Sequence, residues 1–310
     1  MRFVITGATS FLGVELTRYA LSMGNEVTAV CRKDSAGLAR LGTHPCLKLV
    51  HAAMAEYADL PDKIAQEDVF VNLAWEGTGH GERNVVDIQK GNIVHSLEAI
   101  KAAAAMGCRL FVEAGSQAEY GTVMERISET MPCHPFSEYG KAKLAVKEQG
   151  EEMAHALGMK YLHLRIFSLY GEEDHPWTLV MSSLQKMVRN EPVALSSCTQ
   201  KWNFLYVKDA AKQIHLLCQH ALKTPDYKAE VYHIASKDTR ILKEFVTEMH
   251  RLSHSKSKLN FGAITPTNAV SLDPDTSKTE AATGFIADYA FNDIINNIIC
   301  NFKHSESRYI

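Results

Sequence analysis

The chain has 310 residues, 46% of them hydrophobic and 22% charged, with 33 Lys+Arg against 36 Asp+Glu for a formal net charge of -3. This composition suits a globular protein with one large domain and a smaller lobe. It argues against a nucleic-acid binder or a protein of anionic membrane surfaces, and no apolar run reaches the length of a membrane span.

Cys31, Cys46, Cys108, Cys133, Cys198, Cys218 and Cys300 are scattered, odd in number and never spaced C-x-x-C. The expectation is reduced, independent thiols with neither a disulfide framework nor a zinc site. No histidine pair has the H-E-x-x-H spacing, so no metal is expected, and His215 and His220 read as surface or partly buried residues. Met1 leads straight into an apolar strand with no cleavable leader, which suggests a cytoplasmic protein.

In chain order, Arg2–Thr6 is a buried strand, and the segment after Gly7 has helical spacing at Leu12, Leu16 and Tyr19. Glu26–Val30 follows as a strand after the Gly24-Asn25 turn. Further strands are expected at Leu47–Val50, Val69–Leu73 and Leu110–Glu113, with a long helix from Val85 to Met106 stopped by Gly107. A helix begins near Ser137, and a strand covers Tyr161–Phe167. Later, His175-Pro176-Trp177 opens a helix, Trp202–Val207 is a strand running into a helix, Ser253–Asp275 is polar and turn-rich, and Phe291–Phe302 is a final helix. Alternating strands and helices imply a doubly wound parallel sheet of the Rossmann type. Residues 1–170 are expected to bind a dinucleotide; 171–310 return late strands to the sheet and add a smaller substrate lobe.

Thr6-Gly7-Ala8-Thr9-Ser10-Phe11-Leu12-Gly13 joins the first strand to the first helix, where backbone N–H groups and the helix dipole can meet a pyrophosphate. Gly7 supplies the turn and Gly13 close packing, while Ser10 replaces the usual middle glycine. An acidic residue ending the second strand would select NAD; here stand Cys31, Arg32 and Lys33. Arg32 can fork a 2′-phosphate and Lys33 add charge, so NADP is preferred over NAD.

Tyr139 and Lys143 lie one helical turn apart on one face. A tyrosine ordinarily titrates near ~10, too high for a base at neutral pH. An ammonium and a cationic nicotinamide beside such a phenol favour its ionised form, which can take a proton from a sugar hydroxyl. Ser116, just past the strand Leu110–Glu113, can polarise the reacting oxygen.

Together with Asn72-Leu73-Ala74, Gly115–Gly121, Arg165–Gly171, Phe204–Asp209 and Asp275–Lys278, these motifs resemble the extended short-chain dehydrogenase/reductase family over nearly the whole chain. That family contains nucleotide-sugar epimerases, dehydratases and reductases. The resemblance implies catalytic Ser116, Tyr139 and Lys143. It implies a cofactor held by Gly7, Thr9, Ser10, Phe11, Leu12, Gly13, Arg32, Lys33, Met54, Leu73, Ala74, Tyr139 and Lys143. It further implies a nucleotide-sugar site with Trp75, Gln117, Ser168 and Trp202, and a homodimer pairing through helices Val85–Met106 and Ser137–Gly158. Trp75 reads equally as core packing or as a substrate wall, and His80–Arg83 as part of a mobile loop.

Several family features differ. Dehydratases of the family carry Asp-Glu directly after the catalytic Ser/Thr, where this chain has Gln117 and Ala118. Glu119 comes one place late, and in a strand-like segment it would point away from Ala118. Ala53-Met54 replaces the adenine-binding aspartate, Trp202 stands at a phosphate-binding arginine, and a second arginine is missing from 266–270. The expected activity is NADP-linked reduction of a nucleotide-linked 4-keto sugar. A 4-epimerase with tightly held NAD is the alternative within the class, and a non-catalytic NADP-sensing regulator the alternative outside it.

Overall fold

Short apolar runs in the first half form strands covered on both faces, and amphipathic runs between them form the covering helices. The computed structural model describes residues 1–79, 81–265 and 270–306. Strands β1 (Arg2–Thr6), β2 (Glu26–Cys31), β3 (Leu47–His51), β4 (Val69–Asn72), β5 (Leu110–Ser116) and β6 (Lys160–Ile166) alternate with helices α1 (Phe11–Ser22), α2 (Leu60–Lys63), α3 (Val86–Ala105) and α4 (Glu138–Ala156). The second half adds β7 (Ser168–Tyr170), α5 (Leu179–Val188), β8 (Val193–Ala194), β9 (Lys201–Tyr206), α6 (Val207–Lys223) and β10 (Ala229–Ile234). It continues with β11 (Thr239–Ile241), α7 (Leu242–Ser253), β12 (Leu259–Asn260), α8 (Ser277–Thr283) and α9 (Phe291–Glu306).

A seven-stranded parallel sheet has the order β10-β6-β5-β4-β1-β2-β3. The strand order reverses between β1 and β4, the switch point at which open α/β sheets bind ligands beyond their carboxyl ends. Alternate side chains of β1 serve opposite layers. Phe3 and Ile5 pack with Leu16 of α1 and Ile214 of α6, while Val4 joins Phe70, Ile100 and Phe111 on the other face. Two small sheets, β11-β9-β7 and β12-β8, lie outside the main one.

The expected early strands all form, with ends shifted by up to three residues. β5 is the longest extension, reaching Ser116. The helix expected to open at His175-Pro176-Trp177 instead starts at Leu179. Asp174 accepts hydrogen bonds from His175 N (2.7 Å) and Thr178 Oγ1 (2.9 Å), and this turn delays the helix. Val207 begins α6 rather than ending the preceding strand. His215 is fully buried on α6, with Nε2 3.0 Å from Asn25 Nδ2 and its ring against Phe3 and Tyr19, contrary to the expected partly exposed position. The spacing Leu242, Phe245, Val246, Met249 forms α7, a helix not among the expected elements.

Candidate active site and cofactor cleft

The loop after β1 follows from three local choices. Gly7 adopts φ +63, a conformation costly for residues with a Cβ. At Gly13 a Cβ would fall 2.2 Å from Gly7 O, so helix and loop meet only because that atom is missing. Ser10, in place of the middle glycine, is the N-cap of α1, its Oγ accepting from Gly13 N at 3.1 Å. The departure from the glycine pattern thus has a use: the serine anchors the helix end whose dipole faces the cleft.

That cleft encloses about 880 Å³ and is lined by Gly7, Thr9, Ser10, Phe11, Arg32, Met54, Leu73, Ala74 and Trp75, among others. Its glycine loop and the N-terminus of α1 fit a dinucleotide. Leu12 and Gly13 are buried in α1, supporting the loop from behind without lining the cleft. Lys33 is exposed and does not line it either. Ser35 and Arg40, which no motif marks, do. Ser35 Oγ is 2.7 Å from Thr9 Oγ1, and Arg40 donates to Thr9 O at 2.7 Å while pairing with Glu173 at 3.3 Å. The stretch 30–40 brings Arg32 and Arg40 to the wall but no carboxylate.

Ser137 caps α4 through Gly140 N (3.0 Å), which sets Tyr139 and Lys143 in its first turns, both buried. Lys143 Nζ donates to Ala114 O at 2.6 Å and lies 3.8 Å from Glu113 Oε1. It also sits 3.4 Å from the Trp75 ring centroid and 5.9 Å from that of Tyr139. Trp75 therefore lines the cleft and at the same time covers the lysine, edge-on to Tyr139. Arg83 stacks on Tyr139 with its guanidinium carbon 4.3 Å from the ring centroid, and Tyr139 N donates to Arg83 O at 2.9 Å. Ser116 ends β5, and its Oγ accepts from Ala118 N at 3.2 Å, which leaves the hydroxyl proton available to a ligand.

Trp75, Glu76, Gly77 and Glu82 are bonded to α3. Buried Gln89 of α3 accepts from Trp75 Nε1 (2.9 Å) and donates to Gly77 O and Glu82 O. Asn92 bonds both backbone groups of Glu76. His80 lies outside the described residues, as do 266–269, the greater part of the stretch where a second arginine was sought.

Glu119 is not in a strand-like segment. Gln117–Glu119 is a 3₁₀ turn, and Glu119 folds back to accept from Ser116 N at 2.7 Å. Its oxygens also meet His163 Nε2 (2.9 Å) and Arg165 Nε (2.8 Å). Burial pushes its carboxyl up, but His163 and Arg165 outweigh this and hold it at about 2. Gln117 opens this turn beside Ser116. Ser168 and Trp202 do not line the cleft. Ser168 lies on β7 opposite Phe204, and Trp202 packs between the main core and the cluster of Ile127 and Leu272.

Fold, cleft and the Tyr139/Lys143 arrangement define a dinucleotide-dependent enzyme of the extended short-chain dehydrogenase/reductase type. The model of the NAD dependent epimerase/dehydratase family matches residues 3–235, and the chain belongs to that family. It is 22% identical over 295 residues to CDP-abequose synthase of Salmonella muenchen, covering 92% of this chain and 90% of that one. It is 32% identical over 174 residues to dTDP-6-deoxy-L-talose 4-dehydrogenase (NAD(P)(+)) of Kitasatospora kifunensis, covering 55% and 53%. The solved UDP-N-acetylglucosamine 4-epimerase from Methanobrevibacter ruminantium M1, in complex with UDP-N-acetylmuramic acid, shares the fold with a TM-score of 0.85 at 19% identity over 98% of each chain. Among the described residues no helix is long and apolar enough to cross a membrane, and no cluster of side chains could hold a metal ion.

Proposed function

We propose that the protein reduces a 4-keto group on a nucleotide-linked sugar, with NADPH as the preferred reductant. The observation that carries this reading is the buried Tyr139/Lys143 pair at the carboxyl end of β5, beside a cleft that fits a dinucleotide. When bound, the cofactor supplies the hydride. Tyr139 moves the proton at the sugar oxygen, Ser116 polarises that oxygen, and Lys143 holds the nicotinamide ribose. Arg32 takes the 2′-phosphate; it makes no ion pair among the described residues, and no carboxylate from 30–40 lines the cleft to oppose that charge. Trp75 on the cleft wall and Gln117 beside Ser116 border the sugar nucleotide.

The names of the relatives support the substrate class: CDP-abequose synthase, and a dTDP-6-deoxy-L-talose 4-dehydrogenase that uses NAD(P)(+). Dehydration is disfavoured, because Gln117 and Ala118 offer no acid–base pair and Glu119 is engaged by His163, Arg165 and Ser116 N.

The test is incubation with NADPH or NADH and CDP- or dTDP-linked 4-keto-6-deoxyhexoses, followed by absorbance and mass spectrometry. Oxidation of NADPH with formation of the 4-hydroxy sugar is the expected result. Loss of water from any nucleotide-linked hexose overturns the exclusion of dehydration, and NAD retained through purification favours a 4-epimerase. NADPH should bind more tightly than NADH, and Arg32→Ala should narrow that gap in a fluorescence titration; an unchanged gap removes Arg32 from the 2′-phosphate site. The working form is taken as a homodimer paired through α3 and α4, where Val94 of α3 is 58% exposed, to be checked by light scattering.

A further inference from the structure

Two carboxylates are fully buried behind the end of β5, and only one of them is fully engaged. Glu119 accepts from a backbone N–H, a histidine and an arginine. Glu113 is placed differently. Its Oε2 accepts from Asn72 Nδ2 at 2.9 Å, and Asn72 is itself fixed by Thr6 Oγ1 (2.7 Å) and Ser96 Oγ (3.2 Å). Its Oε1 has no hydrogen-bond partner among the described residues and lies 3.8 Å from Lys143 Nζ. Glu113 closes an otherwise apolar run, Leu110-Phe111-Val112, where burying a charge is costly unless the charge is paired.

The titratable groups facing Glu113 come from every surrounding element. They are Lys143 from α4, Glu119 from the turn after β5, Tyr161 and the cross-strand neighbour His163 from β6, and Tyr57 from the 3₁₀ turn Met54–Asp59. Glu119 is balanced by His163 and Arg165, so Lys143 is the cation left to answer Glu113. Burial pushes the Glu113 carboxyl up, against the pull of Lys143 and of the Asn72 amide, to about 7. Such a group changes charge near neutral pH.

We propose that Glu113 is the proton reserve of the Tyr139/Lys143 pair, a positioning residue one layer behind the reacting groups. This inference rests on the reading of Tyr139 as the acid/base group. When Tyr139 gives its hydroxyl proton to a substrate oxygen, the Lys143 ammonium, 5.9 Å from the Tyr139 ring centroid, returns one to the phenolate through a bridging water. The Glu113 carboxylic acid then returns one to the Lys143 amine, after a small swing of Nζ away from Ala114 O. One proton has left the site, and an ion pair of Glu113 carboxylate and Lys143 ammonium remains. Once product leaves, water restores the proton along the same route in reverse. In the oxidative direction the same carboxylate accepts the proton.

Infrared titration of the whole protein tests the reserve without substrate. The wild type should show a carboxylic-acid band that fades as pH rises through about 7, is absent from Glu113→Gln, and persists to higher pH in Lys143→Met. In NADPH-dependent reduction of a dTDP-linked 4-keto-6-deoxyhexose, Glu113→Gln should lower kcat at least about tenfold with NADPH affinity unchanged, and lose the fall in kcat above neutrality. Glu113→Asp, which keeps the acid on a shorter arm, should recover part of kcat, and it is the variant to use if Glu113→Gln fails to fold. A wild type without that band, or a Glu113→Gln enzyme with wild-type kcat and pH profile, overturns the proposal. Turnover retained by Tyr139→Phe would instead overturn the reading of the site and leave the infrared result standing.

Discussion

The ends of β1 and β5 are the two working edges of the sheet, and they are held by different kinds of interaction. After β1, the loop is shaped by its own backbone: a positive φ at Gly7, the missing Cβ of Gly13, and a serine cap that accepts from an N–H three residues on. After β5, the turn is held by side chains from far along the chain, with Glu119 against His163 and Arg165, and Arg165 and His233 both on the Tyr120 hydroxyl (2.7 and 2.6 Å). A backbone-built site depends on residue types a few positions apart. A network-built site depends on buried charges whose partners must all be present, so its failure under mutation should be steeper.

The largest expected effect is at the chemistry itself. Tyr139→Phe should lower turnover by about 10²–10⁴-fold while NADPH affinity stays within a few-fold, measured by steady-state kinetics and fluorescence titration. Activity within tenfold of the wild type would remove Tyr139 from its role.

Next comes the network. Glu119→Gln leaves the buried Arg165 guanidinium facing a neutral amide, and should cost about 3–5 kcal/mol in urea unfolding. If the cost is under ~1 kcal/mol, the β5 turn is not held by charge, and the contrast between the two edges fails.

Each edge also has a histidine held neutral by burial, with an acidity near 4 instead of the usual 6.5: His215 behind β1 and α1, and His233 in the β5 network. As pH falls through 6.5, the unfolded chain takes up protons that the folded chain refuses until about 4. Stability should therefore be present above 6.5 and drain away toward 4, by up to ~3 kcal/mol for each histidine. Replacing His215 by Phe should flatten that slope; an unchanged slope would place the acid sensitivity elsewhere.

The smallest effect is expected at the phosphate loop. Ser10→Ala removes one helix cap and should cost only about 1 kcal/mol, with a modest loss of NADPH affinity. A cost comparable to that of Glu119→Gln would mean that the two edges do not differ in kind.

These contrasts also mark what could be read beforehand. The early strands, the glycine loop, Arg32 at the end of the second strand and the Tyr139–Lys143 spacing were all legible, because each depends on periodicity or on near neighbours in the chain. Ser35 and Arg40 reach the cleft only through the path of the loop after β2. Trp75 reads equally as core packing or as a substrate wall; the fold sets it outside the apolar clusters, against Lys143 and on the cleft wall. Glu119 was set apart from the dehydratase pattern on its position alone, but the expected reason was wrong: a 3₁₀ turn, not strand alternation, takes it into the interior.

By itself the sequence determined the order of strands and helices in the first half of the chain, the glycine loop and the spacing of the tyrosine and lysine, since short-range sterics and hydrogen bonding decide these. Tertiary structure alone decided which charges were buried together. Glu113 and Glu119 are six residues apart and equally hidden, yet one meets a histidine and an arginine from β6 while the other meets a lysine from α4 and an asparagine from β4. A buried carboxylate takes its protonation from the partners the fold brings to it, and those partners lie tens of residues away in the chain.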